Sequence, residues 1–218
     1  MTWSSHIADS IHAGIMKTSQ LALEILFPTK CVVCAKPPSL LCEACKPFPS
    51  IEVEKGDPPL WSALRYSESF SKIINAYKES NRTAIAGYLV FLLDGLLREI
   101  QLHHDFQRIV FADSSRKNYQ KRGFNPVFLL LRKSSVAGKY PITKLDLARQ
   151  TLDQATLSRE DREKNLRNAF ISPKNIQGCL ILDDVTTTGA TLAAMTEAVT
   201  LAGGSVTARA VLAKSFWN

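Results

Sequence analysis

The sequence predicts an α/β fold: an open parallel sheet flanked by helices, with a small four-cysteine knuckle in front of it. Three observations carry that expectation. Ile109-Val110-Phe111 is a short apolar run of the kind a buried strand needs, and Cys179 to Leu182 is a second such run, opening just after Gly178. After the second run, Thr191 to Leu201 has helical character, Gly203-Gly204 breaks it, and Ser205 to Ala213 forms the next strand pattern. Strand, helix and strand in that order imply parallel pairing through right-handed crossovers.

A chain of 218 residues accommodates one substantial domain with a small appendage. Its 45% hydrophobic and 22% charged residues suit a globular protein with a real core. The formal net charge of +7 fits an anionic partner, whether a phosphorylated substrate or nucleic acid. The first segment, Ile7 to Phe27, is interrupted by Asp9, His12, Lys17 and Glu24, so it lacks the ~18 consecutive apolar residues of a membrane span. Nor does it have the apolar core and small-residue cleavage site of an export signal. Ile11, Ile15, Leu21, Ile25 and Leu26 instead form one helical stripe, and a cytoplasmic protein is expected.

Residues 1–58 are expected to hold this helix, the knuckle and a linker, and 59–218 the main domain. The linker expectation rests on four prolines and Gly56 between Lys46 and Pro59. From Trp61 onward the pattern becomes globular. Phe70, Ile73, Ile74 and Tyr77 repeat at helical spacing, as do Leu89, Leu92, Leu93, Leu96 and Leu97. The Ile109 strand is followed by a polar, basic loop and then by an apolar helix around Val127 to Leu131. Leu145 to Ala148 is too short to assign, and Arg149 to Arg167 is a highly polar stretch.

Cys31-x2-Cys34 and Cys42-x2-Cys45 are two close pairs seven residues apart. Each pair can grip a metal from a tight turn, and four thiolates complete tetrahedral zinc, giving a structural site with no open position. Two disulfides or a redox pair are the alternatives, which a reducing compartment disfavours. Cys179 stands alone as a small core residue. His6, His12, His103 and His104 show no ligand spacing, and Trp3, Trp61 and Trp217 are expected to pack.

The end of the Cys179 strand is the most informative region. Asp183 and Asp184 sit where the strand stops, followed by Val185, Thr186, Thr187, Thr188, Gly189, Ala190 and Thr191, where a helix begins. In open α/β sheets, ligands bind beyond the carboxyl ends of the strands. The threonines offer hydroxyl donors, Gly189 lets the backbone approach an anion, and a helix N-terminus presents unpaired N–H groups that suit a phosphate. Ionised Asp183 and Asp184 only accept hydrogen bonds, so their natural partners are sugar hydroxyls or magnesium-bound waters, one sugar's breadth from that phosphate. Helix capping alone would need one such residue rather than two acids and four threonines. A Walker-type loop is excluded by the missing Gly-Lys-Ser/Thr ending.

Leu180 to Thr191 resembles the phosphoribosyl diphosphate signature of type I phosphoribosyltransferases. The resemblance implies that Asp183 and Asp184 contact the ribose 2′ and 3′ hydroxyls, close to the developing oxocarbenium centre, and that Val185 to Thr191 hold the 5′-phosphate. Further features are similar to the ComF family, which is associated with bacterial DNA uptake. They are Arg122-Gly123-Phe124-Asn125, then Gln154 with Arg159, Arg162, Asn165 and Ala169-Phe170, and the cysteine knuckle. Where that family usually has a Val-Pro-Val-Pro-like strand end, this chain has Val110-Phe111-Ala112-Asp113-Ser114, and Pro126 stands where it usually has Gln.

The run containing Arg116, Lys117, Lys121, Arg122, Gly123 and Asn125 has no acid between Ser114 and Lys133. It is expected to be a diphosphate loop (Arg116, Lys121, Arg122, Gly123, Asn125), against the simpler reading of a solvated basic surface. Gln154, Arg162 and Asn165 correspond to a flexible hood over the site, against an ordinary charged helix with an Arg159/Glu163 surface pair. Lys78 and Arg82 match a basic position common in the family, with a surface role as the alternative. Two functions follow. One is transfer of a phosphoribosyl group from its diphosphate to a nucleophilic acceptor, with magnesium on the diphosphate. The other is a non-catalytic competence protein that binds a phosphoribosyl ligand and single-stranded DNA or the DNA-uptake helicase machinery.

Overall fold

In a computed structural model, residues 29–80, 82–148, 166 and 168–215 are described. The expected N-terminal helix, the hood residues Gln154, Arg159, Arg162 and Asn165, and Trp3, Trp217, His6 and His12 lie outside them. The chain divides into two compact units, Met1–Lys46 and Pro47–Asn218.

The second unit is built on a seven-stranded sheet. Its strands are β1 (Glu52–Glu54), β2 (Leu60–Arg65), β3 (Arg108–Ala112), β4 (Ile142–Leu147), β5 (Phe170–Ile171), β6 (Cys179–Thr186) and β7 (Val206–Lys214), in spatial order β1-β2-β7-β6-β3-β4-β5. The five inner strands run parallel, and β1 and β5 close the two edges in antiparallel pairing. The expected open parallel sheet is therefore present.

Helices cover both faces at the centre of the sheet, so β3 and the first half of β6 are apolar rather than alternating, whereas β4 alternates, with Lys144 and Asp146 exposed. Cys179, Leu180, Ile181 and Leu182 are all buried. Helix α1 (Glu68–Glu79) buries Phe70, Ile73, Ile74 and Tyr77, and Ser67 caps it by accepting from the Phe70 N–H at 3.2 Å. Helix α2 (Ala86–His103) packs on β2 and β7 with its leucine stripe buried. Two further helices follow β3: α3 (Arg116–Arg122) and α4 (Pro126–Lys133). Helix α5 (Ala190–Leu201) seals the other side of the sheet. Its Leu192, Met195 and Val199 form one core with Val110, Leu145, Ile181 and Val211.

Two segments differ from expectation. Within the stretch expected to be a linker, Glu52–Glu54 pairs with Leu60–Ser62 as an edge strand. The prolines bracket this strand instead of preventing it, as an edge tolerates them. The segment expected to be a basic loop contains helix α3. It lacks an apolar period, but Ser115 accepts from the Asn118 N–H at 3.3 Å and opens the helix. Gly123, at φ 76°, closes it by donating its N–H to the Tyr119 carbonyl at 2.7 Å.

Candidate functional site

Neighbouring strands β3 and β6 are in register through Phe111 and Leu182, so the segments that follow them open at the same edge of the sheet. Asp183 and Asp184 are still part of β6, where Asp183 pairs with Val211 and Val185 with Ala213 of β7. Strand alternation sends these two carboxylates to opposite faces. Asp183 turns back to accept from the Asp184 N–H at 2.8 Å. Burial, and then the negative charge of Asp184, push the Asp183 carboxyl up to about 7, against the pull of Lys78.

Asp184 is buried and has an ion-pair partner that the sequence did not identify as such. Lys78 Nζ, from the last turn of α1, donates to Asp184 Oδ1 at 2.6 Å, and its side chain is only 20% exposed. The surface alternative for Lys78 is thereby excluded, whereas Arg82 is exposed. The preceding residue, Tyr77, is fully buried and donates its hydroxyl to the Pro126 carbonyl at 2.8 Å. Burial and the Asp184 charge both raise its phenol. Helix α1 is thus bound at its end both to β6 and to the start of α4.

The turn after β6 is a tight hydroxyl-lined loop. Thr186 is buried, and its Oγ1 accepts from the Gly189 N–H at 3.0 Å. Thr188 Oγ1 accepts from the Ala190 N–H at 3.4 Å. Gly189 adopts φ 79° at the N-cap of α5, a left-handed conformation that costs a side-chain-bearing residue about 1–2 kcal/mol. Two of the backbone donors expected to meet a phosphate are therefore held by threonine hydroxyls. These are weak, local partners that an anion can displace, since charge-assisted bonds are roughly twice as strong.

The expected diphosphate residues are divided. Lys121 and Arg122 both form ion pairs with Glu79, the residue after Lys78. These partners hold the Glu79 carboxyl below its ordinary range, Lys121 contributing most. Asn125 is buried and committed at both ends: Oδ1 accepts from the Phe128 N–H at 3.0 Å, capping α4, and Nδ2 donates to the Ala112 carbonyl at 3.1 Å. Arg116, Gly123 and Asn125 line an open cavity of about 1110 Å³, together with Phe111, Phe128 and Lys144. Neither Asp183 nor Asp184 lines it. Asp113, at the end of β3, pairs with Lys144 of β4 at 2.8 Å.

In the first unit, Cys31, Cys34, Cys42 and Cys45 form a cluster whose Sγ atoms all lie within 4.8 Å of one another, with no disulfide among them. Cys34 and Cys42 are 3.8 Å apart at sulfur, matching the edge of about 3.8 Å of a tetrahedron with zinc–sulfur bonds of about 2.3 Å. Backbone N–H groups of Cys34, Cys42 and Val33 bring the Cys31 thiol down to about 6, although its burial acts in the opposite direction. Four cysteines so placed could hold a metal ion such as zinc. Cys179 is buried in β6, as a core residue should be, and Trp61 is buried against His103 in a stacked pair at 5.3 Å. Among the described residues, no helix is long and apolar enough to cross a membrane.

No protein-family model and no curated protein matches the chain. Among solved structures it is similar to adenine phosphoribosyltransferases. The enzyme from Saccharomyces cerevisiae aligns at 14% identity over 62% of this chain and 72% of that one, with a TM-score of 0.38. The enzyme from Leishmania tarentolae aligns at 11% identity over 75% and 94%, with a TM-score of 0.39. The enzyme from Thermoanaerobacter pseudethanolicus aligns at 12% identity over 62% and 83%, with a TM-score of 0.33.

Proposed function

We propose that the chain binds 5-phosphoribosyl 1-diphosphate at the end of β6 and transfers its phosphoribosyl group to a nucleophilic acceptor, releasing diphosphate. One observation carries this reading. The adjacent acids Asp183 and Asp184 lie in the last half of a central parallel strand, and a threonine-lined turn with left-handed Gly189 leads from its end into helix α5. Acceptor-only carboxylates beside an anion-binding helix start match a ligand with hydroxyls at one end and phosphate at the other.

In this reading, Val185 to Thr191 hold the 5′-phosphate through N–H groups and hydroxyls. Asp183 and Asp184 take the ribose hydroxyls and place negative charge near the carbon that becomes cationic as diphosphate leaves. Magnesium would accompany the diphosphate, and Arg116, Lys121, Arg122, Gly123 and Asn125 remain its proposed contacts. For Lys121 and Arg122 this requires exchanging Glu79 for the ligand. Gln154, Arg162 and Asn165 are proposed as a hood that excludes water from the activated sugar. Zinc at Cys31, Cys34, Cys42 and Cys45 would be structural, since four sulfurs leave no open position. This combination is of the ComF kind, with a role in DNA uptake.

The test is diphosphate release from phosphoribosyl diphosphate and magnesium across a panel of nitrogen nucleophiles. Release that disappears in Asp183→Asn/Asp184→Asn supports transfer. The net charge of +7 favours a second reading, in which the site binds its ligand without turnover and the basic surface binds single-stranded DNA. Ligand binding without diphosphate release, together with tight and steeply salt-dependent DNA binding, would select it.

A further inference from the structure

We propose that Lys78 is a positioning residue of the phosphoribosyl site, fixing the Asp184 carboxylate and offsetting its charge so that a sugar phosphate can be bound beside two acids. The inference rests on the reading of Asp183 and Asp184 as ribose contacts, and extends it to a residue contributed by a helix far away in sequence.

The physical difficulty of the site is its charge. Two carboxylates on consecutive residues stand next to a turn proposed to hold a phosphate, and like charges at close range in a partly desolvated place repel. Lys78 Nζ is the cation that meets this pair, 2.6 Å from Asp184 Oδ1. The contact is shielded, with side-chain exposures of 20% for Lys78 and 9% for Asp184. Its placement is not incidental, because the preceding residue, Tyr77, is fully buried and its hydroxyl is anchored to the Pro126 carbonyl. The end of α1 therefore cannot swing away without breaking a buried hydrogen bond. The contact engages Asp184 through Oδ1.

The same helix supplies a clean comparison. Lys72 carries the same charge on α1, but it pairs with Glu68 at 2.8 Å on the exposed side. Removing its charge is expected to leave the acidic pair unchanged, since the cation acting on Asp183 is Lys78.

The experiment measures binding of ribose 5-phosphate, 2-deoxyribose 5-phosphate and inorganic phosphate to the full chain and its variants. A hydroxyl bonded to a carboxylate should make the wild type prefer ribose 5-phosphate over its deoxy analogue at least about tenfold. Lys78→Met should collapse this preference towards unity, while inorganic phosphate, which feels only the lost charge, weakens by less than ribose 5-phosphate does. Lys78→Arg should restore most of the preference, and Lys72→Met should retain all of it. Circular dichroism melts check that each variant is folded. Should Lys78→Met fail to fold, Lys78→Gln, which keeps a neutral donor in place of the ammonium, carries the comparison and is expected to lose most of the preference. The proposal is overturned if Lys78→Met keeps the full preference, or if all three ligands weaken in parallel, which would make Lys78 a general anion attractor. If Asp183→Asn/Asp184→Asn keeps the preference, or the wild type has none, it is the ribose reading of the acids that fails, and the Lys78 proposal with it.

Discussion

Lys78 and Asp184 lie 106 residues apart in sequence, yet their charged atoms meet at 2.6 Å in a contact largely shielded from solvent. Breaking a buried pair leaves one charge uncompensated, which costs about 3–5 kcal/mol when both partners are fully desolvated. Lys78 retains some solvent, so Lys78→Met is expected to lose about 2–3 kcal/mol in urea unfolding, below that range. Lys78→Met/Asp184→Asn should recover most of this loss. A single variant as stable as the wild type would show that the pair contributes nothing to folding.

Asp183 gives stability a pH dependence whose sign follows from its raised folded pKa. The groups facing it are Asp184 on its own strand and Lys78 from α1. Because burial and Asp184 push it up to about 7, the folded chain holds this proton more tightly than the unfolded chain. Its contribution is most favourable below the ordinary carboxylate range, and is lost as pH rises towards about 7. Asp183→Asn should therefore melt close to the wild type near pH 4 and at least about 2 °C above it at pH 8. A difference in Tm that does not change with pH contradicts this assignment.

The Asn125 side chain joins α4 to the end of β3. Asn125→Ala removes a helix cap and leaves the Ala112 carbonyl short of a partner, so a loss of about 1–2 kcal/mol is expected in denaturant unfolding. Asn125→Asp keeps the cap but turns a carboxylate oxygen towards the Ala112 carbonyl, so it should lose at least as much. An Asn125→Asp protein as stable as the wild type would show that the bond to Ala112 contributes nothing.

The cysteine cluster predicts one zinc per chain in elemental analysis of the purified protein. Cys34→Ser/Cys42→Ser should abolish it, since those sulfurs already stand 3.8 Å apart. Absence of metal together with disulfides in the wild type would exclude the zinc assignment.

What the sequence revealed and what it concealed follow from the range of the interactions involved. The strands at Ile109 and Cys179, the helix after Thr191 and the cysteine pairs are local patterns, and each was legible. The helix Arg116–Arg122 was not, because it is set by a serine cap and a left-handed glycine and lacks an apolar stripe. Strand Glu52–Glu54 was hidden among prolines that turned out to flank an edge. The acids and threonines of the candidate site were visible as a contiguous run. Their ion-pair partner was not, since no periodicity links Lys78 to Asp184. The same holds for Glu79, which draws Lys121 and Arg122 to the end of α1. Tertiary pairing of isolated charges has no signature in a single sequence.

Isothermal titration calorimetry with phosphoribosyl diphosphate and magnesium decides whether the end of β6 binds a phosphoribosyl group. Saturable binding at one site per chain is expected, weakened by at least about tenfold in Asp183→Asn/Asp184→Asn. Gly189→Ala, which forces a side chain into the left-handed turn at φ 79°, should also weaken it. No heat of binding in the wild type, or undiminished affinity in the doubly substituted protein, would contradict a site at the end of β6.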